Sequence, residues 1–241
     1  LEERLVPPQS DFARMIGGGV EFGTSLLIAG QAGSGKSTVA SLLGLVAAER
    51  GVPTAMFLFE ERAEVLRARS AGVGLDLARH EDSGAMRLQH VDPAEVSSGE
   101  FAAVALGVVD AGVRVVVIDS LNGYLEAQPG DTHVMSHMHA LIQVLTQRGV
   151  LVILTLAQSG LLGEPPETGV DTSFLADAVL LLRQYEAGAA IRRSIAMLKK
   201  RQGEHDRRFQ ELVIAPGTVE VRPMSEDAMQ RTRGAARLGD A

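Results

Sequence analysis

The chain has 241 residues, 46% of them hydrophobic, which is enough to bury a substantial core, and its length suits one α/β domain better than two. A net charge of −7 and a pI near 5.4 argue against broad nucleic-acid binding, which selects a positive footprint, though a local basic patch stays compatible with an acidic protein. Cysteine is absent, so disulfides and thiolate-bound zinc are both excluded.

Leu1 to Phe12, carrying Pro7-Pro8, reads as a polar lead-in (1–12), and Gly17-Gly18-Gly19 as a flexible turn before the first strand. The chain begins at Leu1 rather than at methionine, which leaves room for a longer parent chain. Its start shows no charged-then-apolar leader, and the most continuous apolar run, Val150 to Ala157, is too short to cross a bilayer; a cytoplasmic protein with no membrane partner is expected.

Ser25 to Ala29 reads as a buried strand, and Ser37 to Glu49 carries apolar residues at helical spacing. Between them Gly30-Gln31-Ala32-Gly33-Ser34-Gly35-Lys36-Ser37-Thr38 matches the phosphate-binding pattern G-x-x-x-x-G-K-[ST] at every fixed position. Glycines at 30, 33 and 35 let the backbone curl so that its N–H groups converge on phosphates at the positive end of the next helix. Lys36 is the candidate for the β/γ-phosphates and Ser37 for Mg²⁺, so ATP and Mg²⁺ are the expected cofactors. Only three of the 23 basic residues are lysines, Lys36, Lys199 and Lys200, which singles each out where arginine is the default.

The alternation continues. Strands are expected at Pro53–Phe59, Met86–Val91, Arg114–Ile118 and Val150–Ala157, and helices at Ala63–Val73, Ser98–Ala111 and Val134–Gln147. Strands alternating with helices imply a parallel sheet covered on both faces, with ligands at the strands' C-terminal ends. Asp119 ends one such strand, the position of a carboxylate that reaches Mg²⁺ through water, although strands also end in Asp for turn chemistry. Glu60 and Glu61 follow the second strand at the same edge. On placement alone, two explanations stand: carboxylates that orient a hydrolytic water, or acids favouring the dipole of the next helix. His133, His137 and His139 form the only histidine cluster and read as solvated or interfacial, so no metal beyond Mg²⁺ is expected.

After Gln158 the rhythm changes. Gln158 to Thr172 is a Gly/Pro/Ser-rich loop, and Ala178–Arg183, Ile191–Lys199 and Gln210–Ile214 read as hairpin strands that extend the sheet antiparallel. The domain then spans 13–224, with a polar tail over 225–241.

Several motifs occur in a fixed order: Gly17-Gly18-Gly19, Gly35-Lys36-Ser37-Thr38, Phe59-Glu60-Glu61, Asp92-Pro93-Ala94-Glu95, Ile118-Asp119-Ser120-Leu121-Asn122-Gly123-Tyr124, Leu156-Ala157-Gln158, Leu175-Ala176-Asp177 and Lys199-Lys200-Arg201. In these the chain, from about Phe12 to Pro223, resembles the KaiC-type ATPase domains of the RecA superfamily. The resemblance implies a RecA-like α/β fold and assigns Glu60 and Glu61 to water activation. It also implies a homo-oligomeric ring, usually a hexamer, with ATP between subunits. Lys199 and Arg201 would then act on a neighbour's nucleotide, with His205 nearby, and Gln158 would sense the γ-phosphate. Without the resemblance, Lys199-Lys200-Arg201 would read as a solvated basic hairpin.

The loop corresponding to the one that faces the ring's centre, Ser159 to Thr172, contains no Lys or Arg, which weighs against a DNA-handling role. Two-domain clock members of the family phosphorylate adjacent Ser and Thr; here Thr172-Ser173-Phe174 puts Phe in place of one acceptor, leaving Ser173 as the remaining candidate for autokinase activity. The expected function is Mg·ATP binding with slow hydrolysis that switches contact with a regulatory protein partner. The alternatives are a single-stranded-DNA-dependent ATPase and a non-hydrolysing scaffold held together by ATP.

Overall fold

Apolar runs such as Leu-Leu-Ile and Val-Val-Val-Ile bury side chains on both faces, and a strand of that kind is stable only between two helical layers. The computed structural model describes residues 3–92, 94–126, 133–158 and 175–225 and shows that arrangement. The lead-in contributes β1 (Arg4–Leu5), α1 (Ser10–Met15) and β2 (Val20–Glu21). The main alternation follows as β3 (Ser25–Gly30), α2 (Lys36–Glu49), β4 (Thr54–Leu58), α3 (Ala63–Gly72), α4 (Leu77–Asp82), β5 (Met86–His90), α5 (Ser98–Asp110) and β6 (Val115–Asp119). Then come α6 (Leu121–Glu126), α7 (Val134–Gln147), β7 (Leu151–Ala157), β8 (Ala178–Ala187), β9 (Ala190–Lys200), β10 (Gln210–Ala215) and β11 (Thr218–Pro223).

One sheet runs in the order β11-β10-β9-β8-β3-β7-β6-β4-β5. Strands β3 to β8 are parallel to one another, and β8 to β11 form an antiparallel meander at one side. This is the RecA-like α/β fold with its antiparallel extension, as expected. On one face α2 packs Val39, Leu43 and Val46 against Ile28, Met56 and Val117. On the other, α5 and α7 pack Phe101, Leu141 and Leu145 against Phe57, Ile118 and Leu154. Helix α2 is buried nearly all round, which explains its lack of a polar face. Helix α5 starts at a reciprocal cap, with Ser97 N donating to Glu100 Oε2 at 2.9 Å and Glu100 N to Ser97 Oγ at 3.3 Å.

The elements absent from the sequence reading are the short ones. Helices α4 and α6 have six residues each, too few for periodicity to show, and α6 carries Gly123. Strand β11 ends in Pro223 at the sheet's edge, where a missing N–H costs no ladder bond. The lead-in is also structured. β1 pairs with β2, Phe12 is fully buried, and the Gln9 side chain accepts from Val221 N at 3.0 Å, tying this segment to β11. No helix among the described residues is long and apolar enough to cross a membrane. The loop 159–172, Ser173 and the tail from 226 lie outside the described residues.

Candidate nucleotide site

Strand β3 ends at Gly30 and helix α2 begins at Lys36, so the phosphate-loop residues form a tight connection between a central strand and a buried helix. Gly35, with φ of 100°, caps the helix in the left-handed region, and a Cβ there would come within 2.5 Å of Ile214 Cδ1. Arg193 Nε donates to Gly33 O at 3.1 Å, so the loop's outer flank leans on β9 and β10. Gln31 O accepts from Ser34 N at 3.2 Å and from Lys36 Nζ at 2.8 Å. Ala32 is exposed, Ser34 is fully buried beneath the loop, and Thr38 lies in the buried first turn of α2.

Four further elements converge on this edge. Asp119, at the end of β6, is 7% exposed and accepts hydrogen bonds from Ser37 Oγ at 3.1 Å and from Thr155 Oγ1 of β7 at 2.5 Å. Glu60, in the turn after β4, accepts from Ser120 Oγ, whose oxygen accepts from Gly123 N at 3.2 Å. Gln158 follows β7, and its N–H donates to Gly30 O at 3.0 Å. Asn122 of α6 closes the edge, donating to Ala157 O at 3.2 Å and accepting from Ala157 N at 2.6 Å. Gly123 lets α6 approach the acidic pair, because a Cβ there would sit 2.9 Å from Phe59 Cβ and 3.0 Å from Glu60 Cγ.

The charges at this edge are in tension. Burial pushes the Asp119 carboxyl above the ordinary aspartate range, against the hydrogen bonds from Thr155 and Ser37. Burial likewise pulls the Lys36 ammonium below its ordinary range, against the negative charges of Asp119 and Glu60. A buried carboxylate and a partly buried ammonium held this way fit the electrostatic profile of a ligand site. The hydroxyl of Ser37 and the carboxylate of Asp119 are hard oxygen donors within 3.1 Å of each other, a donor set that fits Mg²⁺.

Glu61 turns elsewhere, pairing with Arg69 of α3, while its backbone carbonyl meets His90 Nδ1 at 3.1 Å. The late cations are farther off. In β9, Lys199 and Lys200 pair with Val179 and Ala178, at the start of β8, and Ala178 pairs in turn with Leu26. Gly30, where the phosphate loop begins, pairs with Leu182, four residues and about 13 Å along the strand. Lys199 Nζ donates to Ala176 O at 3.0 Å, and Arg201 Nη1 to Asp177 Oδ1 at 3.0 Å. His205 follows in the loop whose Asp206 N donates to Met15 O at 3.1 Å; burial, then the Arg207 and Lys200 charges, lower its basicity. Thus the structure gathers Gly30 to Thr38, Glu60, Asp119 and Gln158, and leaves Lys199, Arg201 and His205 at the opposite edge of the same sheet.

Thr155, Arg69 and the hydroxyl role of Ser120 were missed from the residues alone. Thr155 had a signal, as the one hydroxyl in the run Leu-Val-Ile-Leu-Thr-Leu-Ala; Arg69 had none, being one of two arginines on α3 with a third, Arg62, at its N-cap.

A family model described as "ATPase: KaiC" matches residues 10–226. The circadian clock protein KaiC3 of Synechocystis is 28% identical over 98% of this chain and 49% of its own length. The circadian clock oscillator protein KaiC of Synechococcus elongatus is 25% identical over 90% of this chain and 43% of its own. The chain therefore spans about half the length of these curated relatives. The crystal structure of a KaiC-like protein from Pyrococcus horikoshii superposes with a TM-score of 0.81 at 26% identity, over 92% of this chain and 100% of that one.

Proposed function

The chain belongs to the KaiC family of ATPases, an ATP-binding phosphate-loop domain, and on that premise we propose that it binds Mg·ATP between neighbouring copies of itself and hydrolyses it slowly as a regulatory switch. One observation carries this reading: the phosphate-loop residues and the cations Lys199 and Arg201 lie at opposite edges of one sheet. Cations anchored roughly 10 Å or more along the strands from the loop, at the other end of the sheet, face away from their own subunit's phosphates, whereas a head-to-tail neighbour presents one edge to the other. A closed ring, a hexamer by the family resemblance, satisfies every such site.

In this reading the N–H groups of residues 31 to 36 and the Lys36 ammonium hold the phosphates, and Gln158 lies within reach of the γ-phosphate. Ser37 and Asp119 would hold Mg²⁺, which would supply charge neutralisation. Water adds to the γ-phosphorus as the bond to the bridging oxygen breaks, giving ADP and phosphate, and the acidic turn of Glu60 and Glu61 supplies the carboxylate that orients the water and takes its proton. Lys199 and Arg201 from the neighbour stabilise the charge on the transferred group, with His205 beside them. Because those cations report the nucleotide across an interface, hydrolysis would reset subunit contacts and the binding of a regulatory partner. A cytoplasmic location goes with this proposal.

Mixing inactive variants tests it. Lys36→Ala and Arg201→Ala should each abolish phosphate release, while a 1:1 mixture should recover about one quarter of wild-type activity, the share of interfaces pairing an intact loop with an intact cation. A mixture as inactive as its components would sink the shared site.

A further inference from the structure

Glu60 and Glu61 are adjacent in sequence, yet the fold sends them to different partners. Glu60 is tied through Ser120 Oγ to the end of β6, beside Asp119 and Lys36. Glu61 accepts a charge-assisted hydrogen bond from Arg69 Nη2, and its carbonyl meets His90 Nδ1 at the end of β5. Side chains on a helix slope toward its N-terminus, so Arg69 on α3 reaches back to the turn that carries both acids. The other arginines nearby serve elsewhere. Arg67 joins α3 to α4 through Glu81, with Nε 2.5 Å from Oε2, and Arg62 is exposed at the N-cap of α3.

The Arg69 and Glu61 side chains are 41% and 25% exposed. A pair that accessible adds little to the stability of the fold. Its placement matters more than its strength. The turn it clamps is three residues long, Glu60 to Arg62, bounded by Phe59 N donating to Asp119 O at 2.8 Å on one side and by α3 on the other. Holding Glu61 outward therefore fixes which way Glu60 faces.

We propose that Arg69 is a positioning residue for ATP hydrolysis: by clamping Glu61 it orients the acidic turn so that Glu60 alone faces the attacking water. Glu61 is then a positioning residue too, and the two carboxylates are not interchangeable. This rests on the hydrolytic reading of the phosphate-loop edge.

The test is steady-state phosphate release by the full chain with Mg·ATP, with melting temperatures measured alongside. Arg69→Met should lower kcat about tenfold with KM and melting temperature little changed, Arg69→Lys should recover part of that loss, and the exposed Arg62→Met should match wild type. Partners in contact are non-additive, so Arg69→Met combined with Glu61→Gln should lose no more than Glu61→Gln alone. Wild-type kcat in Arg69→Met, or losses that multiply in the double variant, would overturn the proposal. If Glu60→Gln silences turnover while Arg69→Met does not, only the role of Arg69 falls. If the wild-type chain releases no phosphate, the hydrolytic reading falls and takes the role of Arg69 with it.

Discussion

Lys36 and Lys200 are two of only three lysines in the chain, and they stand at opposite edges of one sheet with opposite degrees of satisfaction. The Lys200 side chain is 1% exposed; its ammonium donates to Ile16 O at 2.9 Å and to Gly19 O at 2.8 Å, and forms an ion pair with Glu21 Oε1 at 3.1 Å. That ammonium is solvated by two carbonyls and paired with a carboxylate, all within the chain. Lys36 meets one carbonyl, Gln31 O, while the nearby Asp119 carboxylate is bonded only to hydroxyls among the described residues. The contrast separates two uses of a buried charge. At the Lys200 edge the charge joins β9 to the Gly17–Gly19 turn and β2, and is structural. At the Lys36 edge the charge is desolvated before its partner arrives, which suits a polyanion and a cation that bind together.

Four substitutions can break or sharpen that contrast. The largest effect is expected from Lys200→Met, which leaves the buried Glu21 with only Arg4, 3.3 Å away; the loss should be about 3 kcal/mol, seen as a melting temperature lower by about 10 °C. A melting point unchanged by this substitution would erase the distinction between the edges. Lys36→Ala should weaken ATP about 100-fold, roughly 2.7 kcal/mol by titration calorimetry, without lowering the melting temperature of the nucleotide-free protein. If instead it melts well below wild type, Lys36 is structural and resembles Lys200.

Gly123→Ala comes next. Its Cβ would press on Phe59 and Glu60, so kcat should fall about tenfold from displacement of Glu60, with KM nearly constant. The smallest effect has the opposite sign. Asp119 has a folded-state pKa raised above its ordinary 3.8, so its contribution to stability is present at low pH and lost as pH rises through the raised value. Asp119→Asn keeps an acceptor for Ser37 and Thr155 but carries no charge. Without nucleotide it should therefore melt a few degrees above wild type at pH 8, and the gap should close as the pH falls toward 4, while Mg-dependent hydrolysis is lost. A gap that widens on acidification would show that the carboxylate is stabilised in the fold.

The phosphate loop was legible because its function is local: strand, glycine turn, lysine and helix follow one another in nine residues, and each residue type is dictated by backbone geometry. Asp119 was legible for a similar reason, as the polar stop of an apolar strand. Thr155 left only a faint trace, since one hydroxyl in a buried strand has many explanations until Asp119 is seen 2.5 Å from it. Ser120 and Asn122 were visible as members of a motif, but their bonds to Glu60 and to β7 depend on α6, a six-residue helix without detectable periodicity. Arg69 could not be singled out among Arg62, Arg67 and Arg69, because its choice of Glu61 over α4 is made by how α3 packs.

By itself the sequence determined the alternating strands and helices, the position of the phosphate loop and the chemical types gathered around it, all of which are encoded in contacts a few residues apart. Only the tertiary structure decided that Lys199 and Arg201 stand roughly 10 Å or more along the sheet from that loop, that Lys200 is a buried tie, and that Glu60 and Glu61 part company. Those outcomes depend on strand register and helix packing, fixed by contacts that range from Arg69 with Glu61, across one turn and its helix, to Lys200 with Ile16, across nearly the whole chain. No local spacing records them.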